Sequence, residues 1–486
     1  MLAGALGMIV LDGTIVGVAL PTIIRSLHLE LVDAQWVNSL YSVVFAALLV
    51  TVGRLGDQWG RKRLLLLGIA VFCVGSICAA LATTGGILLA ARAAQGVGGA
   101  MVLPSTLSTV NATFRGKDRA AAFGIWGAVM SGAAALGPLL GGWLTQVWGW
   151  RSVFWVNVPV GILLSLATVW CVRETREPAV TRGTSPEEGH PAGPGRFDGL
   201  GTVLSACGFG LGVFGIIEGT TLGWWTPKAE WRLFGWAWPS TAPVSPVPVA
   251  LCLAVLALTL FVLWEWRRGV HHRMTLLDLR VFRIRSFSLG IGTAGLVAVG
   301  EFSLLFVLPL YLVDALHLGT LESGGVLAAM AAGAFVSGAL ARKLSARIGA
   351  TLVVVVGLFL ETVGAAGTAV LLTAQAGAWA VDAVLLPYGV GLGLAAAQLT
   401  SVSLADIPAA QSGVGSGTQS TIRQLGSAVG SAVGGAVFSA WLPAASLAAS
   451  TVQIARAAGA SLWWTAAILL GASGLALWLS RGNLRR

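Results

Sequence analysis

The side chains of this sequence that could do chemistry are ionisable groups placed inside long apolar segments. Asp12 lies in the run GMIVLDGTIVGVALP, and Glu301 and Glu361 interrupt two later runs at a similar depth. Arg92 and Arg423 lie in two further runs. A charge in the middle of a hydrocarbon layer costs about 2.5–3.5 kcal/mol on insertion scales, so each of these residues needs a physical reason for its place.

Three roles compete for the three acids. They could bind and release protons, hold a cationic ligand, or pair with Arg92 and Arg423 to join helices. A medium of low dielectric favours the neutral form of a carboxyl group, which is the property that a proton carrier needs. For Glu361, a structural role or shielding within the apolar layer explains the residue as well as proton exchange does.

Arg92 lies near Gln95 in the segment AARAAQG. Its guanidinium keeps its charge, so it can donate hydrogen bonds to backbone carbonyls or help a neighbouring acid to release a proton. A fixed ion pair that only holds helices together is the alternative.

Composition indicates which elements must hold these residues. Of the 486 residues, 56% are hydrophobic and only 10% are charged. Such a chain cannot form a soluble globule with a polar shell, so the sequence predicts a polytopic membrane protein. Its formal charge of +10 comes from basic residues in short segments between apolar runs, which indicates membrane topology and not binding of nucleic acid.

Fourteen runs are long enough to cross the membrane, since about 30 Å of hydrocarbon takes roughly 20 residues. Lys and Arg cluster in alternate connections, so we expect both termini on the cytoplasmic side. The first run lacks a basic leader region, and its start close to residue 1 predicts that a native tail precedes it. The expected spans are 2–25, 33–53, 64–84, 87–110, 120–144, 152–172, 198–220, 247–267, 286–313, 320–341, 350–373, 379–404, 412–440 and 459–480.

Two longer connections divide the spans into groups. One is rich in Pro, Gly and charge, which indicates a solvated cytoplasmic linker. The other carries five Trp residues, which favours an anchor in the outer headgroup layer, with a substrate-gating role as the alternative. The expected domains are an amino-terminal six-helix bundle (1–172), the linker (173–197), two extra helices with the Trp-rich loop (198–267), a basic cytoplasmic loop (268–285) and a carboxyl-terminal six-helix bundle (286–486).

A faint internal repeat relates the two expected bundles. GRLGDQWGRKR follows the second span of the first bundle, and LARKLSARIGA follows the second span of the other. Aligning Gly60 with Gly349 makes a Leu-x-x-polar-x-Gly pattern recur, although Asp57 is matched by Ala346. Duplicated halves are a common plan of secondary transporters.

Five motifs in the expected order give the chain a specific resemblance over its whole length. GRLGDQWGRKR resembles the signature between spans two and three of the major facilitator superfamily, with Gln58 in place of the usual Arg. LLAARAAQGVGGA and GAAALGPLLGG resemble the fourth-span and fifth-span motifs of that family. LDGTIVGVALP resembles the first-span motif of its drug:proton antiporters, and IRQLGSAVGSAVGGAV resembles the fourteen-spanner branch. The matching residues are Gly53, Asp57, Gly60, Arg61 and Lys62 in the signature, Arg92 and Gln95 in the fourth span, and Gly137, Pro138, Gly141 and Gly142 in the fifth.

The signature also has a physical interpretation. Gly53 and Gly60 permit tight bends. Asp57, an acid in a basic turn, can pair with a neighbouring helix end and latch the cytoplasmic side shut. Plain membrane anchoring explains Arg61 and Lys62 equally well.

The fifth-span motif predicts a close helix contact. Gly137, Gly141 and Gly142 clear one helix face, and Pro138 adds a bend. This face can be a sliding interface between the bundles or a site of simple tight packing.

The resemblance implies the major facilitator fold: an all-α membrane protein of two six-helix bundles plus two extra central helices, in the plasma membrane. It also implies alternating access powered by the proton gradient. The sequence contains no nucleotide-binding or catalytic motif, so we expect no enzymatic activity, no cofactor and no metal. We expect a monomeric exporter of hydrophobic or amphipathic compounds such as drugs. A transporter of lipids or cell-envelope intermediates, and a sensor that does not transport, are the alternatives.

The resemblance also orders the candidate site residues. Asp12 ranks first for proton coupling, followed by Glu301 and Glu361, with Arg92 as their partner. The substrate cavity candidates are Asp12, Gln95, Glu301 and Arg423.

Overall fold

The computed structural model describes residues 1–113, 136–172, 198–219, 221–233, 236–271, 281–407, 412–442 and 450–483, with the single positions 129, 133, 174, 275 and 279. Helices make up most of these ranges. They are α1 Leu2–Leu27, α2 Leu31–Trp59, α3 Arg61–Ala80, α4 Gly85–Thr113, α5 136–148, α6 Ser152–Trp155, α7 Asn157–Cys171, α8 Gly199–Glu218, α9 Pro246–Val270, α10 Arg285–Leu310, α11 Thr320–Ile348, α12 Ala350–Thr373, α13 Ala378–Leu404, α14 Ser412–Ala440 and α15 Thr451–Asn483. A short antiparallel hairpin joins β1 Trp231–Leu233 to β2 Trp236–Trp238.

Within the described ranges, eleven helical segments are long and apolar enough to cross a membrane. The helices α2 and α14, which match two other expected spans, are each 29 residues long. Most of the expected span 120–144 lies outside the described residues. The helical membrane class is therefore confirmed, and the total of fourteen spans stays a prediction.

The two halves repeat one helical pattern at a constant separation in the chain. In each half a His with left-handed backbone lies between the first and second helices. The second helix then begins with an acidic side chain that accepts the backbone N–H of the residue before the helix. The second and third helices then meet at a glycine of positive φ. The equivalent pairs, all 289 residues apart like Arg25 and Asp314, are His28 and His317, Asp33 and Glu322, and Gly60 and Gly349.

Among the described residues, the largest apolar core that the two halves share lies at one end of the molecule. This core takes residues from the ends of α1 and α10 and from the starts of α2, α4, α11 and α13. At the opposite end the described residues form separate cores, one from α1 to α4 and the other from α10, α12, α13 and α15. The described parts of the halves thus share one core where α1 ends and have separate cores where α1 begins.

The extra helices α8 and α9 form an antiparallel pair beside the two halves. The pair is tied at one end by Asp198, which accepts from Trp264 Nε1 at 2.9 Å and lies 3.3 Å from Arg268 Nε. α8 also packs on α2 and α14, so it covers the seam between the halves. At the other end the ring of Trp231 lies 5.3 Å from that of Phe214, which shows that part of the Trp-rich connection folds back on α8.

Candidate functional site

Asp12 lies at the centre of a buried polar network in the amino-terminal half. It is near the middle of α1, and its side chain is 0% exposed. Arg92 of α4 donates from Nη1 to Asp12 Oδ2 at 2.6 Å. Gln95 Nε2 and Asn157 Nδ2 donate to Asp12 Oδ1 at 3.0 and 2.7 Å. The helices α4 and α7 thus supply the donors that an ionised carboxylate needs in a low dielectric.

Arg92, like Asp12, makes several polar contacts within this network. It lies one helical turn before Gln95 on the same face of α4, and its Nη1 also donates to Gln95 Oε1 at 2.9 Å. Its Nε donates to the Val37 carbonyl of α2 at 3.1 Å, and the guanidinium lies 4.3 Å from the centre of the Tyr41 ring. The buried pair is neutral as a whole, and its stability depends on α1, α2 and α4 keeping this arrangement.

The carboxyl-terminal half has a second acid–base pair. Glu301 of α10 occupies the position equivalent to Asp12, 289 residues further along the chain. Its Oε2 lies 3.6 Å from Nη2 of Arg423 on α14, and the two side chains are 14% and 43% exposed. This pair is longer and less buried than the Asp12–Arg92 pair, so it is the weaker interaction.

Glu361 of α12 is the third acid that the sequence places near the middle of a span. It is fully buried, and neither carboxyl oxygen has a hydrogen-bond partner among the described residues. The hydroxyl of Tyr388 on the neighbouring α13 is buried and unpartnered in the same part of the structure. Buried polar groups without partners are uncommon in proteins, so both require an explanation.

The fifth-span motif lies where the two halves meet. A Cβ on Gly142 would come within 2.5 Å of the Thr320 carbonyl oxygen of α11. A Cβ on Gly141 would come within 2.9 Å of the Ile15 carbonyl oxygen of α1. Side chains here would push α5 away from α1 and α11, so these glycines permit the close contact at the packed end. The other two motif residues, Gly137 and Pro138, pack against Thr14 and Gly324.

The signature turn joins α2 to α3. Gly60 has a φ of 112°, which a residue with a Cβ rarely adopts. Glu174, which closely follows α7, accepts the backbone N–H of Lys62 at 3.1 Å and lies 3.9 Å from Nε of Arg63. A carboxylate is favourable at the start of a helix, so this contact ties α3 to the end of α7. Arg61 is the first residue of α3. Gly53 lies inside the continuous helix α2, so the tight bend expected there is wrong, and the turn falls at Gly60. The side chain of Asp57, in the last turn of α2, lies outside the described residues.

A small pocket lies between the halves, lined by residues of α1, α2, α10, α11 and α14. The lining is mostly apolar, with Phe302 as an aromatic wall and Asn38 as one of its few polar groups. None of the four expected cavity residues lines this pocket: Asp12 and Gln95 are buried in the polar network, and Glu301 pairs with Arg423. Their role in a substrate cavity stays a prediction.

Sequence reasoning missed three residues that the structure places in these sites. Asn157 is an amide at the start of an apolar span, and that combination was its only signal. Tyr388 is one of three tyrosines, all of which lie inside expected spans, so the sequence did not single it out. Glu174 fell in the stretch that was assigned to the solvated linker. In the described part of the chain, no three His, Cys, Asp or Glu side chains cluster closely enough to hold a metal ion.

Together these features define a class of protein. Two related helical halves that pack at one end, with ion pairs buried among their helices, have the architecture of a secondary transporter. The model of the Major Facilitator Superfamily matches residues 2–431, and the chain belongs to this family. It is therefore a membrane transporter and not an enzyme, and the predicted family is confirmed.

Several relatives are named for drug resistance or export. The chain is 33% identical over 448 residues to the multidrug resistance protein Stp of Mycobacterium tuberculosis (strain CDC 1551 / Oshkosh), covering 91% of this chain and 76% of the relative. It is 30% identical to the tetracenomycin C resistance and export protein of Streptomyces glaucescens, covering 88% and 73%. It is also 30% identical to the multidrug efflux pump LfrA of Mycolicibacterium smegmatis (strain ATCC 700084 / mc(2)155), covering 89% and 79%.

A solved structure shares the fold. It is a bacterial homologue of the human lysosomal transporter Spinster in an inward-facing and occupied conformation, with a TM-score of 0.64 over 99% of this chain and 95% of that chain. The identity is 17%, so the likeness shows the fold alone.

Proposed function

We propose that the protein exports hydrophobic or amphipathic compounds, such as drugs, across the plasma membrane in exchange for protons. The observation that carries the proposal is the buried Asp12–Arg92 pair, in which every charge is balanced within the polar network. The names of three relatives, one efflux pump and two resistance proteins, support export. The mostly apolar pocket between the halves supports an apolar substrate.

A proton on Asp12 would change this network in a defined way. It removes the negative charge that holds Arg92, while Arg92 keeps its bonds to the Val37 carbonyl and to Gln95. The contact between α1 and α4 then loosens, and α1 is free to move relative to α4. Since α1 contributes to the core that packs the two halves together, protonation and conformation are coupled through this helix.

The proposed cycle uses the predicted orientation. With both termini in the cytoplasm, the end at which the halves have separate apolar cores faces the cytoplasm. This conformation therefore faces inward. The moving bodies are the bundles 1–172 and 286–486, with the extra helices of 198–267 against the seam and the connections 173–197 and 268–285 between them. The transporter works as a monomer and draws on the proton gradient instead of a cofactor.

The test is ethidium efflux from liposomes that contain the purified full chain and carry an imposed pH gradient. Efflux that accelerates with the gradient supports the proposal, and efflux indifferent to the gradient overturns proton coupling. Asp12→Asn keeps the shape of the side chain without its charge, so gradient-driven efflux is expected to be lost. Asp406→Asn changes an exposed acid and is the matched control. A fluorescent phospholipid that changes leaflet while ethidium stays in place would identify a lipid transporter instead.

A further inference from the structure

The helix pairs α3–α4 and α12–α13 are equivalent in detail. A Cβ on Gly75 of α3 would come within 2.9 Å of the backbone N of Gln95 on α4. A Cβ on Gly364 of α12 would come within 2.9 Å of Cα of Tyr388 on α13. The same glycine contact therefore places Tyr388 in the carboxyl-terminal half where Gln95 lies in the amino-terminal half.

A second glycine contact locates Glu361 in the same way. A Cβ on Gly98 of α4 would come within 2.6 Å of the backbone N of Phe72 on α3. A Cβ on Gly391 of α13 would come within 2.7 Å of the backbone N of Glu361 on α12. Glu361 thus takes the place of a buried phenylalanine, inside a helix pair packed backbone to backbone. A buried acid at a position that holds an apolar ring in the other half needs a physical explanation.

The ionisable groups around Asp12 and those around Glu361 differ in number. The amino-terminal network holds one acid and one base, Asp12 and Arg92, and is neutral. Tyr388 from α13, Glu301 from α10 and Arg423 from α14 lie within electrostatic range of Glu361. On the side of α15, Ser473 meets the residue next to Glu361, Thr362, at 3.4 Å. This group of described residues therefore has two carboxyl groups for one guanidinium, and it is neutral only with one bound proton.

We propose that Glu361 is a second proton-binding site, separate from Asp12 and located in the carboxyl-terminal half. Glu361 is 0% exposed and lacks donors to either carboxyl oxygen among the described residues, so an ionised form would be an uncompensated buried charge. Glu301, by contrast, has Arg423 beside it, with 3.6 Å between Oε2 and Nη2, and this pairing favours its ionised form. The proposed proton therefore resides on Glu361.

The site stands on the burial of Glu361 and on the lack of described donors to its carboxyl oxygens. Its use as a coupling site rests on the proposed function.

Infrared spectroscopy of the full chain in liposomes at neutral pH tests the site directly. The C=O stretching band of a protonated carboxyl group is expected in the wild type, lost in Glu361→Gln and retained in Asp12→Asn. Asp406→Asn is the matched control and is expected to keep the band. A band of equal intensity in the wild type and in Glu361→Gln would overturn the proposal.

A second variant keeps the test decisive where Glu361→Gln does not fold. Glu301→Gln leaves Glu361 buried and without described donors, so the band is expected to be retained. A band lost in Glu301→Gln would assign the proton to Glu301 and contradict the proposal.

An ethidium assay separates this proposal from the proposed function. Glu361→Gln mimics the protonated form, so it is expected to keep ethidium exchange across the membrane and to lose accumulation driven by the pH gradient. A variant that keeps gradient-driven accumulation would show that the Glu361 proton is not coupled to transport. If the wild type does not move ethidium, the proposed function fails while the infrared result still decides the site.

Discussion

Arg25 and Asp314 form an ion pair across the two halves, with 2.9 Å between Nη2 and Oδ1, and they occupy equivalent positions of the internal repeat. Arg25 lies in the last turn of α1, and Asp314 lies in the π turn Tyr311–Ala315 that follows α10. The side chains are 59% and 38% exposed, so the pair contributes about 0.2–1 kcal/mol. A contact of this strength is suited to an end of the molecule that must open and close.

The first prediction concerns this pair. Arg25→Gln is expected to raise the population that is open at this end by up to about fivefold, because about 1 kcal/mol changes an equilibrium by that factor. Spin labels at Thr84→Cys and Ala374→Cys, two exposed loop positions at this end, report the change as longer distances in a cysteine-free background. Asp314→Asn should give the same shift, and the double variant should add nothing further. Additive shifts would contradict a direct interaction.

The second prediction concerns Asn157, which donates to Asp12 from α7 at 2.7 Å. Asn157→Ala leaves Gln95 as the described donor to Asp12 Oδ1 and is expected to lower the free energy of unfolding by about 1–3 kcal/mol. Thermal unfolding in detergent measures the loss as a lower Tm. The control, Thr168→Ala, removes a buried hydroxyl of α7 that donates to the Leu164 carbonyl of the same helix, and should cost less. Equal losses in the two variants would contradict the role of Asn157.

The sequence could predict the membrane class and the two halves, and it singled out Asp12 and Arg92 as charges that need a partner. These predictions follow from local signals: hydropathy over about 20 residues, or a charge inside an apolar segment. Pairing with Arg92 was one of three alternatives for Asp12, and the sequence placed Arg92 nearer the outer end of its span. The structure joins the two side chains at 2.6 Å, and their use in proton transfer stays a proposal.

The roles of Asn157 and Tyr388 could not be predicted, because both depend on which face each helix turns to its neighbours. The helices are apolar around much of their circumference, so the sequence gives little information about facing. Asn157 reaches Asp12 across 145 residues of chain, a contact that only tertiary packing creates. The repeat was weak in the sequence for a related reason. Its equivalences are conformational, a left-handed His or a glycine contact, and neither needs identical neighbours.

The third prediction tests the glycine contact between α5 and α11. Gly142→Ala places a Cβ within 2.5 Å of the Thr320 carbonyl oxygen, so the packed end cannot close fully. We expect longer distances between the labels at positions 84 and 374 and a loss of ethidium efflux. Gly474→Ala on α15, where a Cβ meets nothing within 4 Å, is the matched control and should leave both measurements unchanged. If the distances between the labels in Gly142→Ala equal those of the wild type, the contact between α5 and α11 does not determine how far the packed end closes.

The fourth prediction compares two glycines at equivalent positions of the internal repeat, one in each half. Gly60 and Gly349 both have positive φ, 112° and 86°, so replacement by Ala strains the backbone at both, at about 1–3 kcal/mol each. They differ in surroundings: a Cβ on Gly60 would lie 2.6 Å from Glu174 Oε1, and a Cβ on Gly349 meets nothing within 4 Å. Gly60→Ala is therefore expected to lower the Tm more than Gly349→Ala.

The excess loss in Gly60→Ala comes from displacing Glu174 from the start of α3, where it accepts the Lys62 N–H. In a Glu174→Ala background this contact is already absent, so Gly60→Ala and Gly349→Ala should lower the Tm by equal amounts. Thermal unfolding of the two single glycine variants, of Glu174→Ala and of the two double variants provides the full comparison. An excess that persists without Glu174 would show that the turn after α2 is sensitive for a reason other than its contact with α7.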